Sequence, residues 1–148
     1  MTGPLPRSAE VWLARTAVAL EVLLGVGALA GGAALMLGPR GEILPLPVSA
    51  LEGSPFDAYF WPGLILFVVL GLGPIVAADL ARRRHPIAPL ATCAVGIALL
   101  VWLAVEIAIV GFSMTPPLQP LYLILGAVIT AVGIAWARRR AQPSGIEA

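Results

Sequence analysis

The chain has no lysine, one cysteine and one histidine, and only 11% of its 148 residues are charged. Soluble domains carry about 25% charged residues, so this side-chain set is too poor in charge to coat a globule of this length, which argues against a water-soluble fold. Cys93 has no partner for an intrachain disulfide or a Cys-x-x-Cys redox pair. Cys93 and His85 together fall short of the roughly four ligands that structural zinc needs, so Cys93 reads as a small buried hydrophobe. A single histidine, set apart from the acids, leaves no Ser/His/Asp arrangement. The glycines lie within apolar runs, not in a phosphate-cradling loop. A net charge of +1 supplies no field to steer nucleic acid. No catalytic constellation, metal, cofactor or nucleic-acid partner is therefore expected. Disorder is excluded too, because 59% of the residues are hydrophobic.

Four long apolar runs remain, over about 11–37, 59–80, 89–111 and 117–137, each sufficient for a transmembrane span of about 20 residues. The alternation of a membrane barrel is missing. Continuous helices satisfy every backbone group internally, so the expected fold is an all-α integral membrane four-helix bundle forming a single domain. The first run is about twice the length of a signal-peptide core and contains Glu21, so it reads as a span, not a cleaved leader. Arginine placement then sets the orientation. Arg7, Arg15, Arg82, Arg83, Arg84, Arg138, Arg139 and Arg140 fall on one side of four spans, and only Arg40 falls on the other, beside Glu42, Glu52 and Asp57. That asymmetry predicts both termini, the 81–88 loop and the 138–148 tail in the cytoplasm, with outer loops at 38–58 and 112–116. All-arginine basicity with heavy Ala, Gly and Pro usage suggests a GC-rich bacterial genome, hence the inner membrane as location.

Trp12 and Trp136 fall at the expected cytoplasmic boundary and Trp61 at the outer one, where indole rings prefer to lie; Trp102 is deeper. In the long outer loop Leu44-Pro45-Leu46-Pro47 should be extended. Ser54-Pro55-Phe56-Asp57 reads as a helix start, with Ser54 as cap, Pro55 at the first position and Asp57 in a capping box. Phe56, Tyr59, Phe60 and Trp61 would then form an aromatic helical collar, bent at Pro62. Gly71, Gly73 and Pro74 predict a kink in the second span.

Two carboxylates interrupt the apolar runs, where an ionised group costs roughly 2.5–3.5 kcal/mol on insertion scales and often serves function. At 1.5 Å per residue, Glu21 lies about 15 Å into the first span and Glu106 about 26 Å into the third, too far apart in depth for a shared-proton pair. Ala14, Ala17, Gly25, Ala28 and Gly32 share the Glu21 face as a small-residue seam, and Gly27-x-x-x-Gly31 adds a second close-approach motif. Glu21 is thus expected in a tight helix–helix contact, either as a protonated acid hydrogen-bonded to Thr130 or a backbone carbonyl, or as a proton site in a transport path. Ala19-Leu20-Glu21-Val22, followed by glycines in the first of four spans, resembles the first helix of small multidrug resistance exporters. The resemblance covers about ten residues and implies that Glu21 binds protons and cationic substrates. The long first outer loop and the strong arginine bias depart from that family, and the bias disfavours an antiparallel dimer. More broadly the chain resembles the small four-span proteins of bacterial membranes, which implies no particular activity.

Trp102 and Glu106 share a helix face, placed to line a pocket for a lipophilic or cationic ligand with a cation–π contribution from the indole. The plainer alternative is an interfacial Glu106 hydrogen-bonded to Trp102, Tyr122 or the outer loop. Tyr59 and Trp61 complete the candidate ligand-binding set with Glu106, Trp102 and Glu21. Asp79 reads as a helix-end acid pairing with Arg82–Arg84, a cluster that, with His85, could touch anionic headgroups. Two functions follow: a non-enzymatic protein packing with itself or with a membrane protein partner and holding a lipophilic ligand or membrane lipid near the outer leaflet, or a proton-coupled transporter using Glu21.

Overall fold

A computed structural model describes residues 5–142. Arg7, counted above for orientation, and the end of the tail lie outside the described side chains. Four long helices account for most of the chain: α1 (Leu5–Leu37), α2 (Phe60–Arg82), α3 (Ala88–Val110) and α4 (Leu118–Ala141). There is no strand among the described residues. All four are long and apolar enough to cross a membrane, and their outward faces are apolar, with Leu23, Leu90, Val101 and Ile124 each more than half exposed.

Sequential neighbours pack against one another, α1 also meets α4, and α1 and α3 barely touch across the diagonal. The bundle is thus up-and-down, and the start of α1 and the end of α4 lie at one end, called here the termini end. The inward stripe of α1 is Ala14, Ala17, Glu21, Leu24, Ala28 and Leu35, at the three- and four-residue spacing of one helix face. Glycines let backbones approach. A Cβ on Gly25 would sit 3.0 Å from the Gly71 carbonyl oxygen, and one on Gly32 would sit 2.7 Å from that of Gly63. Between α3 and α4, a Cβ on Gly126 would sit 2.9 Å from Leu100, and one on Gly133 would sit 2.7 Å from the Cys93 nitrogen. The expected Gly27-x-x-x-Gly31 contact does not form. Both positions meet neighbours only at an ordinary 3.6 Å, because the closest approach of α2 follows the Gly25/Gly32 face.

Three other expectations are corrected. The chain over 54–59 is not helical. Ser54 Oγ accepts from Phe56 N–H at 3.2 Å, closing a tight local turn, and α2 begins only at Phe60. The loop's regular element is instead a 3-10 turn at Val48–Leu51. Pro62 therefore sits in the first turn of α2, where its missing N–H has no intrahelical partner to lose, and it causes no break. Further along, Leu66–Leu72 is π-helical. Pro74 cannot donate to Leu70 and its ring crowds that carbonyl, and the wider π turn accommodates both. Lastly, Trp136 is not a belt residue: it is fully buried in a collar of Ala14, Ala17, Ala81 and Ala88, with Nε1 donating to Glu10 Oε1 at 3.2 Å. Trp12 and Trp61 do face outward, 68% and 59% exposed.

Candidate functional site

Toward the termini end α2 packs on α3; toward the opposite end the two part, and the first turns of α2 make no contact with α3. The Val48–Leu51 turn packs against α3 in that gap. Beneath it lies a cavity of about 550 Å³, within the range of small-molecule sites. Its walls are Leu66, Val69 and Leu70 of α2, Ala98 to Val110 of α3, Leu35 of α1, and Leu46, Leu51 and Phe56 of the loop. Val69, Val101 and Val105 are about half exposed on its flanks, so the cavity opens sideways onto the apolar surface of the bundle.

Tyr59 anchors the roof. Its hydroxyl donates to the Pro47 carbonyl at 3.0 Å and its N–H to the Pro39 carbonyl at 2.8 Å. Its ring, 6% exposed, packs with Leu35 and Leu51. Burial pushes the phenol above its ordinary pKa, which keeps the donor protonated. Gly41 at φ +92° allows the chain to fold back under Leu46, whose carbonyl a Cβ there would strike.

Trp102 and Glu106, one turn apart on α3, both line the cavity, and Glu106 is its single ionisable carboxyl. Glu106 Oε1 accepts from Gln119 Nε2 at 3.1 Å, while Gln119 also donates to the Gly111 carbonyl at 3.1 Å and accepts from Ser113 N–H at 2.7 Å. Gln119 is thus the positioning residue that sequence reasoning missed. Its signal was an amide between Pro117 and Pro120 at the start of an apolar span. The arrangement offers an apolar slot with one fixed carboxylate, one indole and no basic group.

Of the expected ligand set, the structure brings Glu106, Trp102 and Tyr59 together around this cavity. Trp61 points away, stacked edge-on against Phe60 with ring centroids 5.5 Å apart. Glu21 is in the bundle core, fully buried. The expected Thr130 partner is otherwise engaged, because its hydroxyl donates back to the Gly126 carbonyl of its own helix at 2.8 Å. Thr92 of α3 is the polar side chain that faces Glu21. Neither carboxyl oxygen, nor the Thr92 hydroxyl, has a hydrogen-bond partner among the described residues.

Two further features lie at the termini end. Arg140 Nε donates to Glu10 Oε1 at 2.6 Å, its guanidinium lies 4.8 Å over the Trp136 ring, and Nη1 donates to the His85 carbonyl at 2.9 Å. This clasp joins α1, α4 and the α2–α3 turn. A second cavity, of about 320 Å³, opens at the surface beside the contact of α1 with the end of α2. Comparison with protein families, curated proteins and solved structures gives no match for this chain.

Proposed function

We propose that this chain is a non-enzymatic, multi-pass protein of the bacterial inner membrane, with both termini in the cytoplasm, that holds a lipophilic ligand in the cavity beside Trp102 and Glu106. The observation that carries the reading is the cavity itself: about 550 Å³ of apolar space, roofed by an ordered loop and open sideways where a bilayer would lie. A water-soluble ligand would find too few polar partners there, whereas an acyl or isoprenoid chain matches the walls. The carboxylate of Glu106, with Trp102 beside it, suits a headgroup that is a hydrogen-bond donor or a cation, and disfavours an anionic one. The arginine asymmetry supports the orientation, which puts this cavity in the outer leaflet.

The test is native mass spectrometry of the purified full chain with Trp102→Ala and Glu106→Ala variants. Both should fold and lose co-purifying lipid; loss of folding with unchanged lipid content overturns the reading.

Proton-coupled transport through Glu21 is the second reading. It draws support from the unpartnered, fully buried Glu21–Thr92 pair, since such groups are otherwise costly. In proteoliposomes Glu21→Gln should abolish proton-coupled flux; a variant that alters only thermal stability removes this reading.

A further inference from the structure

We propose that the cavity between α1 and the last turns of α2 is a second binding site, taking the phosphate headgroup of an anionic lipid. Three arginines line it: Arg15 from α1, Arg82 from the end of α2 and Arg84 from the α2–α3 turn. No acid lines it. The nearby Asp79 is already committed, with one oxygen 2.9 Å from Arg82 Nη2 and the other 2.7 Å from Arg83 Nε. Arg15 and Arg84 form no ion pair with any described residue. Arg82 is thus paired with Asp79, and Arg84 lies within electrostatic reach of Glu10, but the lining itself holds three cations and no acid and is net positive.

The remaining walls are apolar, chiefly Val11, Val18 and Ala19 of α1. Ala19 is exposed on the outward face of that helix, so an acyl chain could leave the cavity along a surface of matching polarity. Guanidinium groups bind phosphate oxygens in paired, planar geometry, and basic pockets between helices at a membrane surface are suited to anionic lipid headgroups. The backbone at Arg84 supports a role for its side chain. It lies at φ +53°, where most residues pay a steric penalty and glycine pays none. The turn would close at lower cost with glycine, yet an arginine stands there, and it is one of the residues that line the cavity. Arg83 and His85, which the sequence groups with Arg82 and Arg84, do not line the site. Arg15, sixty-seven residues before Arg82, does.

The site is independent of the cavity beside Trp102 and has the opposite electrostatic preference, so either can fail without the other. The full chain, purified in detergent, is titrated with phosphatidylglycerol, with phosphatidylcholine and with inorganic phosphate, and binding is followed by native mass spectrometry. The expected result is preference for phosphatidylglycerol, with Arg15→Gln/Arg84→Gln lowering its affinity about tenfold or more and leaving phosphatidylcholine unaffected. Arg138→Gln/Arg139→Gln removes the same charge outside the cavity and should leave binding at the wild-type level. Ala19→Trp fills the exposed apolar wall without altering charge and should also weaken phosphatidylglycerol binding, which keeps the test open if the double variant fails to fold. The proposal is overturned by wild-type phosphatidylglycerol affinity in the cavity variants, or by an equal loss in Arg138→Gln/Arg139→Gln. Inorganic phosphate binding as tightly as the lipid would equally overturn it, in favour of a free-anion site.

Discussion

Gln119 holds Glu106 at the rim of the larger cavity, its Nε2 3.1 Å from the carboxylate oxygen. The same amide ties Glu106 to both ends of the α3–α4 loop, through Gly111 and Ser113. One carboxylate oxygen is therefore held by Gln119 while Glu106 lines the cavity. Hydrogen bonds to a charged group contribute about 1.5–3 kcal/mol, so Gln119→Leu should lower thermal stability by an amount of that order and reduce lipid retention as well. Gln119→Glu places a like charge beside Glu106 and should be worse on both counts. Unchanged lipid content in Gln119→Leu, measured by native mass spectrometry, would show that Glu106 needs no such positioning.

Glycine packing gives a sharper contrast. A Cβ at Gly96 would lie 2.6 Å from the Thr130 backbone nitrogen, and one at Gly133 would lie 2.7 Å from that of Cys93. Backbone cannot rotate aside as a side chain can, so Gly96→Ala and Gly133→Ala must push α3 and α4 apart. Overpacking of this kind costs about 1–3 kcal/mol. Gly27→Ala, with Tyr122 Oη at 3.6 Å, should be neutral within about 0.5 kcal/mol. Thermal denaturation of the three variants in one detergent decides it, and equal melting points would contradict the packing described.

Why the motif at Gly27 misleads while the four apolar helices do not is a matter of which physical term sets each feature. Helix number and extent follow from hydropathy and length, local properties of the chain. The helices run a little past the apolar runs, α2 to Arg82 and α4 to Ala141, because arginine side chains at a helix end can remain solvated. The seam face of α1 was also legible, since its small residues repeat at helical spacing around Glu21. Which of two adjacent glycine pairs meets a partner depends on the rotation of α2, which no local signal encodes. The same holds in the 38–58 loop. Ser54, Pro55 and Asp57 carry a genuine capping pattern, but burying Leu51 and Tyr59 beneath the loop wins over starting a helix five residues earlier. At the site, Trp102 and Glu106 were legible from one-turn spacing, whereas the pairing of Glu106 with Gln119 and of Glu21 with Thr92 each crosses from one helix to another and needed the tertiary arrangement.

The termini-end clasp was likewise invisible locally, since Glu10 and Arg140 are 130 residues apart. Arg140 makes an ion pair, an indole contact and bonds to the α2–α3 turn, so its removal leaves several acceptors without a donor. Arg140→Gln should destabilise the bundle by about 1–3 kcal/mol, and Glu10→Gln by less, because the glutamine still accepts from Trp136. In the double variant the two losses should not add, since one interaction is being removed twice. Strict additivity in a thermal or denaturant cycle would mean that the pair does not couple.

The Glu21–Thr92 pair yields a prediction whose sign is informative. Both side chains are buried and without hydrogen-bond partners, and each unsatisfied polar group costs about 1–3 kcal/mol relative to a satisfied one. Replacing both by apolar groups of similar shape removes that cost, as is often found when buried polar pairs are exchanged for hydrophobic ones. Glu21→Leu/Thr92→Val should therefore raise thermal stability over the parent. If instead the double variant melts lower, the pair is satisfied by a group these side chains recruit, such as an internal water. A more stable double variant would mean that the chain keeps a carboxyl in its core at a cost to its own stability. That result would strengthen the case that Glu21 is there for something other than packing.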